Sequence, residues 1–149
     1  LTDTLWFPQW LTGVKLTADE PGTTLSPLGE FKLIYVDNTE LILVNLVLTR
    51  GFSTSAGGAI ILTYGVLRAR TCTFSHNYAT SSGGAVYSEK STVTFYDCLF
   101  EFNEAGEAGG AVRVYSDSQA TFLRTKFFQL TFHVAILRSG ASDRNSPTK

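Results

Sequence analysis

The chain has 149 residues, of which 44 % are hydrophobic and 17 % charged, with a formal net charge of −1. That length suffices for one domain with a real core. The near-neutral balance gives no electrostatic case for nucleic acid or an anionic membrane surface, and no apolar run approaches the roughly 18 residues a transmembrane helix requires.

Residues 1–30 read as irregular. Trp6-Phe7-Pro8-Gln9-Trp10 places two tryptophans around a proline, which disfavours a helix. Val14-Lys15-Leu16-Thr17 alternates and predicts a short strand, and Asp19-Glu20-Pro21-Gly22 is a turn cluster. Two strands rich in Ile, Val and Leu are expected over 31–36 and 41–48, with Asp37-Asn38-Thr39-Glu40 turning between them. The chain starts at Leu1 rather than Met and shows no signal peptide, so it reads as a processed product or a fragment.

From Gly57 onward one phrase recurs. Gly57-Gly58-Ala59-Ile60, Gly83-Gly84-Ala85-Val86 and Gly109-Gly110-Ala111-Val112 follow one another at a constant step. Phe74-Ser75-His76-Asn77 and Phe100-Glu101-Phe102-Asn103 keep the same step, as do Cys72 and Cys98. A fixed period in the range of roughly 20 to 50 residues is the mark of a solenoid. Between the phrases run alternating segments. Val93 and Phe95 are expected inward, with Thr92 and Thr94 outward; Leu67 and Ala69 inward, with Arg68 and Arg70 outward. The third such segment, Ala120-Thr121-Phe122, comes one position later than that step requires, so a single insertion falls between Tyr115 and Gln119. Helical repeats fit poorly, because Gly pairs damage helix interiors and the windows show period 2. The Leu-x-x-Leu-x-Leu line of leucine-rich repeats is absent.

The reading is therefore all-β: a right-handed parallel β-helix (solenoid) of about five coils with an irregular N-terminal cap. Residues 1–137 are expected to form a single domain, with 1–30 as cap or incomplete first coils and 31–137 as coils. The repeat decays after Phe128, where Val134-Ala135-Ile136 reads as a degenerate Gly-Gly-Ala-Val, and 138–149 reads as a polar tail.

Over roughly residues 41–128, the paired motifs Gly-Gly-Ala-[Ile/Val] and Phe-x-x-Asn resemble the repeats of the chlamydial polymorphic outer-membrane proteins. More broadly, they look like right-handed parallel β-helix proteins of the pectin-lyase-like superfamily. The resemblance implies a secreted or surface passenger domain used in adhesion. An autotransporter's C-terminal membrane barrel is not seen in this sequence.

The repeated residues are weighed first as architecture. Gly57, Gly58, Gly83, Gly84, Gly109 and Gly110 lack the lysine of a phosphate-binding loop and fit turns and close coil-to-coil approach. Phe74 and Phe100 are expected as core. Asn77 and Asn103 occupy one position in consecutive coils, where stacked amides can form a ladder. Cys72 and Cys98 are expected as buried free thiols, with an inter-coil disulfide as the alternative. His76 and His133 lack metal-site spacing, and Asp97, Glu101, Glu104 and Glu107 are read as a solvated cluster rather than a calcium or glycosidase pair. The tryptophan pair is assigned to cap packing. Thr92, Thr94 and Thr121 hint at an ice-binding row, which Arg68 and Arg124 are expected to break.

Catalysis has one candidate stripe, Arg70, Asp97 and Arg124. Surface ion pairing is the simpler use of those residues. The expected function is a non-enzymatic extracellular or cell-surface module for structure or adhesion. It would present a repeat surface to protein or glycan partners, without cofactor or metal, either alone or within a larger extracellular assembly. The alternative is a polysaccharide-active enzyme or a carbohydrate-binding module.

Overall fold

A computed structural model of the chain describes residues 4–7, 13–129, 134–137 and 144–145. They contain no helix, and hence none long and apolar enough to cross a membrane. The strands stack in parallel into a β-solenoid of about five turns.

Each coil passes through up to four sheets. The first holds Leu5–Phe7, Ile34–Asp37, Ile60–Thr63, Val86–Glu89, Val112–Tyr115 and Val134–Leu137 in parallel, and Arg144–Asn145 closes it antiparallel. The second holds Val14–Thr17, Glu40–Val44, Val66–Arg70, Thr92–Tyr96 and Gln119–Leu123. The third holds Thr23–Leu25, Leu46–Thr49, Thr73–Ser75, Leu99–Glu101 and Lys126–Phe128. The fourth is short: Phe52–Ser53, Tyr78–Ala79 and Glu104–Ala105. The described part of 1–30 already contributes a strand to each of the first three sheets.

Residues 41–48 are two strands rather than one. The chain bends at Asn45, whose φ is 61°. The corner recurs at Thr71, Asp97 and Arg124, with φ of 51°, 52° and 48°. Asn and Asp tolerate this left-handed conformation; at Thr71 and Arg124 it costs about 1–2 kcal/mol and needs support from the surrounding structure. Ladder hydrogen bonds supply that support: Asn45 N–H donates to Arg70 O at 3.1 Å, Thr71 N–H to Tyr96 O at 3.0 Å and Asp97 N–H to Leu123 O at 3.0 Å. A second corner runs through Arg50, His76, Phe102 and Gln129, all with positive φ.

The insertion lies where Ser116 and Asp117, both left-handed, replace the single left-handed Lys90 of the coil before. Lys90 N–H reaches both Tyr115 O and Ser116 O, and from Gln119 onward the pairing register is displaced by that one position. The insertion thus stays in a turn and leaves the core columns intact. The final step is shorter. Val112 pairs with Val134 as Val86 pairs with Val112, so Val134 takes the place of the valine in the phrase. Val134-Ala135-Ile136 therefore does not take the Gly-Gly-Ala-Val register.

The core is built from columns. Phe74, Phe100 and Phe127 stack at centroid separations of 4.7 and 5.2 Å, and Phe95 stacks on Phe122 at 5.3 Å. The two columns meet edge to face, Phe95 on Phe100 at 5.0 Å, a favourable arrangement for the ring quadrupoles. The in-register repeat makes this possible, because every coil returns the same side chain to the same place.

Candidate functional site

The repeated motifs all lie in the architecture. Gly57, Gly83 and Gly109 have φ of 63°, 65° and 63°, the conformation a Cβ disfavours. Gly58 and Gly84 are small for a second reason. A Cβ on Gly84 would run into the carbonyls of Gly110 and Glu104, and one on Gly58 into those of Gly84 and Tyr78. The phrase bonds to its own copy: Gly58 N–H donates to Gly83 O at 3.3 Å and Gly84 N–H to Gly109 O at 3.0 Å.

The two asparagines form a continuous buried ladder. Asn103 Oδ1 accepts from Asn77 N–H at 3.0 Å and from Asn77 Nδ2 at 2.9 Å. Asn77 Oδ1 accepts from Gly51 N–H at 2.9 Å, and Nδ2 of each side chain donates to a strand carbonyl, Leu48 O or Phe74 O. Gly51 holds the corresponding position one coil below, so the ladder ends there on a backbone amide. Each of these hydrogen-bonding atoms has a protein partner, and both asparagines are buried away from the surface where a ligand would approach.

Cys72 and Cys98 are buried and unbonded. Cys72 Sγ donates to Arg70 O at 3.2 Å, and Cys98 Sγ lies 3.4 Å from Tyr96 O. The neighbouring Cys72 and burial together push the Cys98 thiol up, away from reactive thiolate character.

Arg70, Asp97 and Arg124 come together on the outside, at the corner between the second and third sheets. Arg124 grips Asp97 with both arms of its guanidinium, Nε to Oδ1 at 2.6 Å and Nη2 to Oδ2 at 2.8 Å. Between the two arginines lies Tyr96, which the sequence reading did not assign to the site. Arg124 Cζ is 4.1 Å from its ring centroid and Arg70 Cζ 5.2 Å. The outcome is an Arg–Tyr–Arg stack with one carboxylate at its side. The signal was present in the register, since Tyr96 pairs directly with Arg70.

The electrostatics argue against Asp97 as a general acid. The Arg124 fork holds the Asp97 carboxyl below the usual carboxylate range, with weaker attraction from Arg70. A general acid requires the opposite shift. Both partners of the pair are exposed, 61 % for Arg124 and 38 % for Asp97, so little energy is stored there.

The other candidates stay apart. Glu101 is on the third sheet and Glu104 on the fourth, and Glu107 accepts from Ser81 Oγ at 2.9 Å. Among the described residues no three His, Cys, Asp or Glu side chains gather as a metal site would require. His76 stacks on Phe102 at 4.8 Å. His133 and Trp10 lie outside the described residues. Trp6 does not pack into a cap. It sits in register with Tyr35 on the outer face of the first sheet and is 61 % exposed, because its place in the alternation is an outward one. The Thr94 column is interrupted by Arg68, which bonds Glu40 at 2.8 Å; Arg124 stands at the corner and takes no part in that column.

No curated protein and no solved structure matches the chain at a significant level. The match that does arise falls on one coil of the described architecture, the one carrying Cys72, Phe74, Asn77 and Gly83-Gly84-Ala85. Residues 71–89 match the Chlamydia polymorphic membrane protein repeat.

Proposed function

We propose that the chain is a non-enzymatic module of an extracellular or cell-surface protein, serving structure or adhesion by presenting its outer sheet faces to protein or glycan partners. One observation carries the reading. The repeat motifs are consumed by the core and turns, and the outward Asp–Arg set that resembled a catalytic stripe is an exposed ion pair with its carboxylate held ionised. The match to a repeat of membrane proteins at residues 71–89 supports placement at a cell surface. Solenoid faces also suit this use, because each coil adds a strip of surface in fixed register with the last.

The test is binding of the chain to a glycan array and to a panel of cell surfaces, beside an assay for polysaccharide cleavage. Saturable binding that survives Asp97→Ala, with no cleavage, is expected. Cleavage that disappears in Asp97→Ala would overturn the proposal in favour of a polysaccharide-active enzyme.

A further inference from the structure

A shallow cavity of about 370 Å³ lies against the third sheet, at the opposite end of its strands from the Arg–Tyr–Arg corner, and is lined by Thr24, Ser26, Thr49, Arg50 and His76. All but Thr24 come from two successive outward columns. Thr49 pairs with Ser75, and Ser26 follows Leu25, which pairs with Leu48, the residue before Thr49. Arg50 and His76 share the left-handed corner next to them, where φ is 59° and 53°.

The donors are arranged for an anion. Arg50 is exposed, and among the described residues it has no carboxylate partner, unlike Arg68 and Arg124. Thr49 Oγ1 accepts from Ser75 Oγ at 3.1 Å, so its own proton remains to be donated. One face of the His76 ring is covered by Phe102, which leaves the other toward the Arg50 side. No lining residue is acidic. The carboxylate of the same column, Glu101, stands one coil further on, opposite Ser75.

We infer that this cavity binds a small polyhydroxylated anion. Its oxyanion pairs with the Arg50 guanidinium and the Thr49 hydroxyl, and its hydroxyl-bearing body lies over His76, Thr24 and Ser26. A guanidinium fork beside hydroxyl donors matches carboxylate or phosphate oxygens, and the volume admits one sugar-sized ring. The inference does not depend on the proposed adhesive role.

The test is titration of the whole chain, followed by amide chemical shifts, with four probes: glucuronate, glucose 6-phosphate, glucose and inorganic sulfate. One of the two charged sugars is expected to bind more tightly than both glucose and sulfate, with shifts centred on Thr49, Arg50 and His76, and the arm that binds identifies the oxyanion. Arg50→Gln is expected to weaken that binding at least roughly tenfold, the factor implied by losing one charge-assisted hydrogen bond. Thr49→Val, which keeps the strand, should weaken it as well. Arg68→Gln, on another sheet, should leave it unchanged. Absence of binding by either charged sugar, sulfate binding as tightly as the sugars, or an Arg50→Gln chain that binds like the original overturns the inference.

Discussion

Replacing Asn103 with alanine tests the ladder that fixes the coil register. The side chain is 1 % exposed. Its removal deprives three groups of a partner: Asn77 N–H (3.0 Å), Asn77 Nδ2 (2.9 Å) and Phe74 O (2.8 Å). Each buried polar group left unsatisfied costs about 1–3 kcal/mol. Asn77 Nδ2 keeps its bond to Leu48 O, so the sum belongs near the low end, at about 3–4 kcal/mol. That is a large share of the roughly 5–15 kcal/mol by which a domain is stable. The measurement is urea denaturation followed by circular dichroism, where the midpoint should fall without a change in slope. Glu104→Ala, next in sequence and exposed, should change stability by no more than about 0.5 kcal/mol. A loss below about 1 kcal/mol for Asn103→Ala would refute the reasoning, since the cavity would then be satisfying those groups without the amide.

Gly84→Ala should prevent native stacking, because the added methyl meets the backbone carbonyls of Gly110 and Glu104, which cannot rotate away; a native circular dichroism spectrum with an unchanged melting midpoint would contradict this. Asp97 should titrate below the ordinary carboxylate range by carbon-detected NMR and return toward it in Arg124→Gln. Because its folded-state pKa is depressed, the contribution of the pair to stability is complete above the unfolded value of about 4 and is lost as pH falls through the folded value. Cys72 and Cys98, 1 % and 3 % exposed, should both resist a thiol-labelling reagent in the native chain and both react once it is denatured; rapid native labelling of either would place it outside the core.

Much of the architecture was legible because a solenoid writes its tertiary structure as sequence period. The constant step aligned Phe74 with Phe100, Asn77 with Asn103 and Gly84 with Gly110, and stacked coils place equivalent residues one strand spacing apart. The lengthened step to Phe122 was equally visible, and an extra residue in a turn shifts numbering without disturbing the columns. The limits came where the local pattern is mute. Residues 41–48 are continuously apolar apart from Asn45, so alternation could not reveal that Asn45 bends the chain into a second sheet; only the φ of 61° does so. The short fourth sheet, with Tyr78–Ala79 and Glu104–Ala105 as its strands in successive coils, is too brief to leave a period of its own.

The sequence by itself determined the coil length, the inward and outward alternation, and the columns of Phe, Asn, Gly and Cys. These follow from spacing along one chain, which the glycine phrase supplies twice and the Phe, Asn and Cys positions each repeat once. Only the tertiary structure decided what happens between residues whose side chains are long or whose corners turn. It put Tyr96 between Arg70 and Arg124, locked Asp97 in a guanidinium fork, turned Trp6 outward, and gathered Arg50 and His76 beside Thr24, Ser26 and Thr49. The physical reason is reach. A core position is fixed by the backbone step, whereas an outward side chain extends across neighbouring coils and around corners, and its partner depends on a geometry that no single period records.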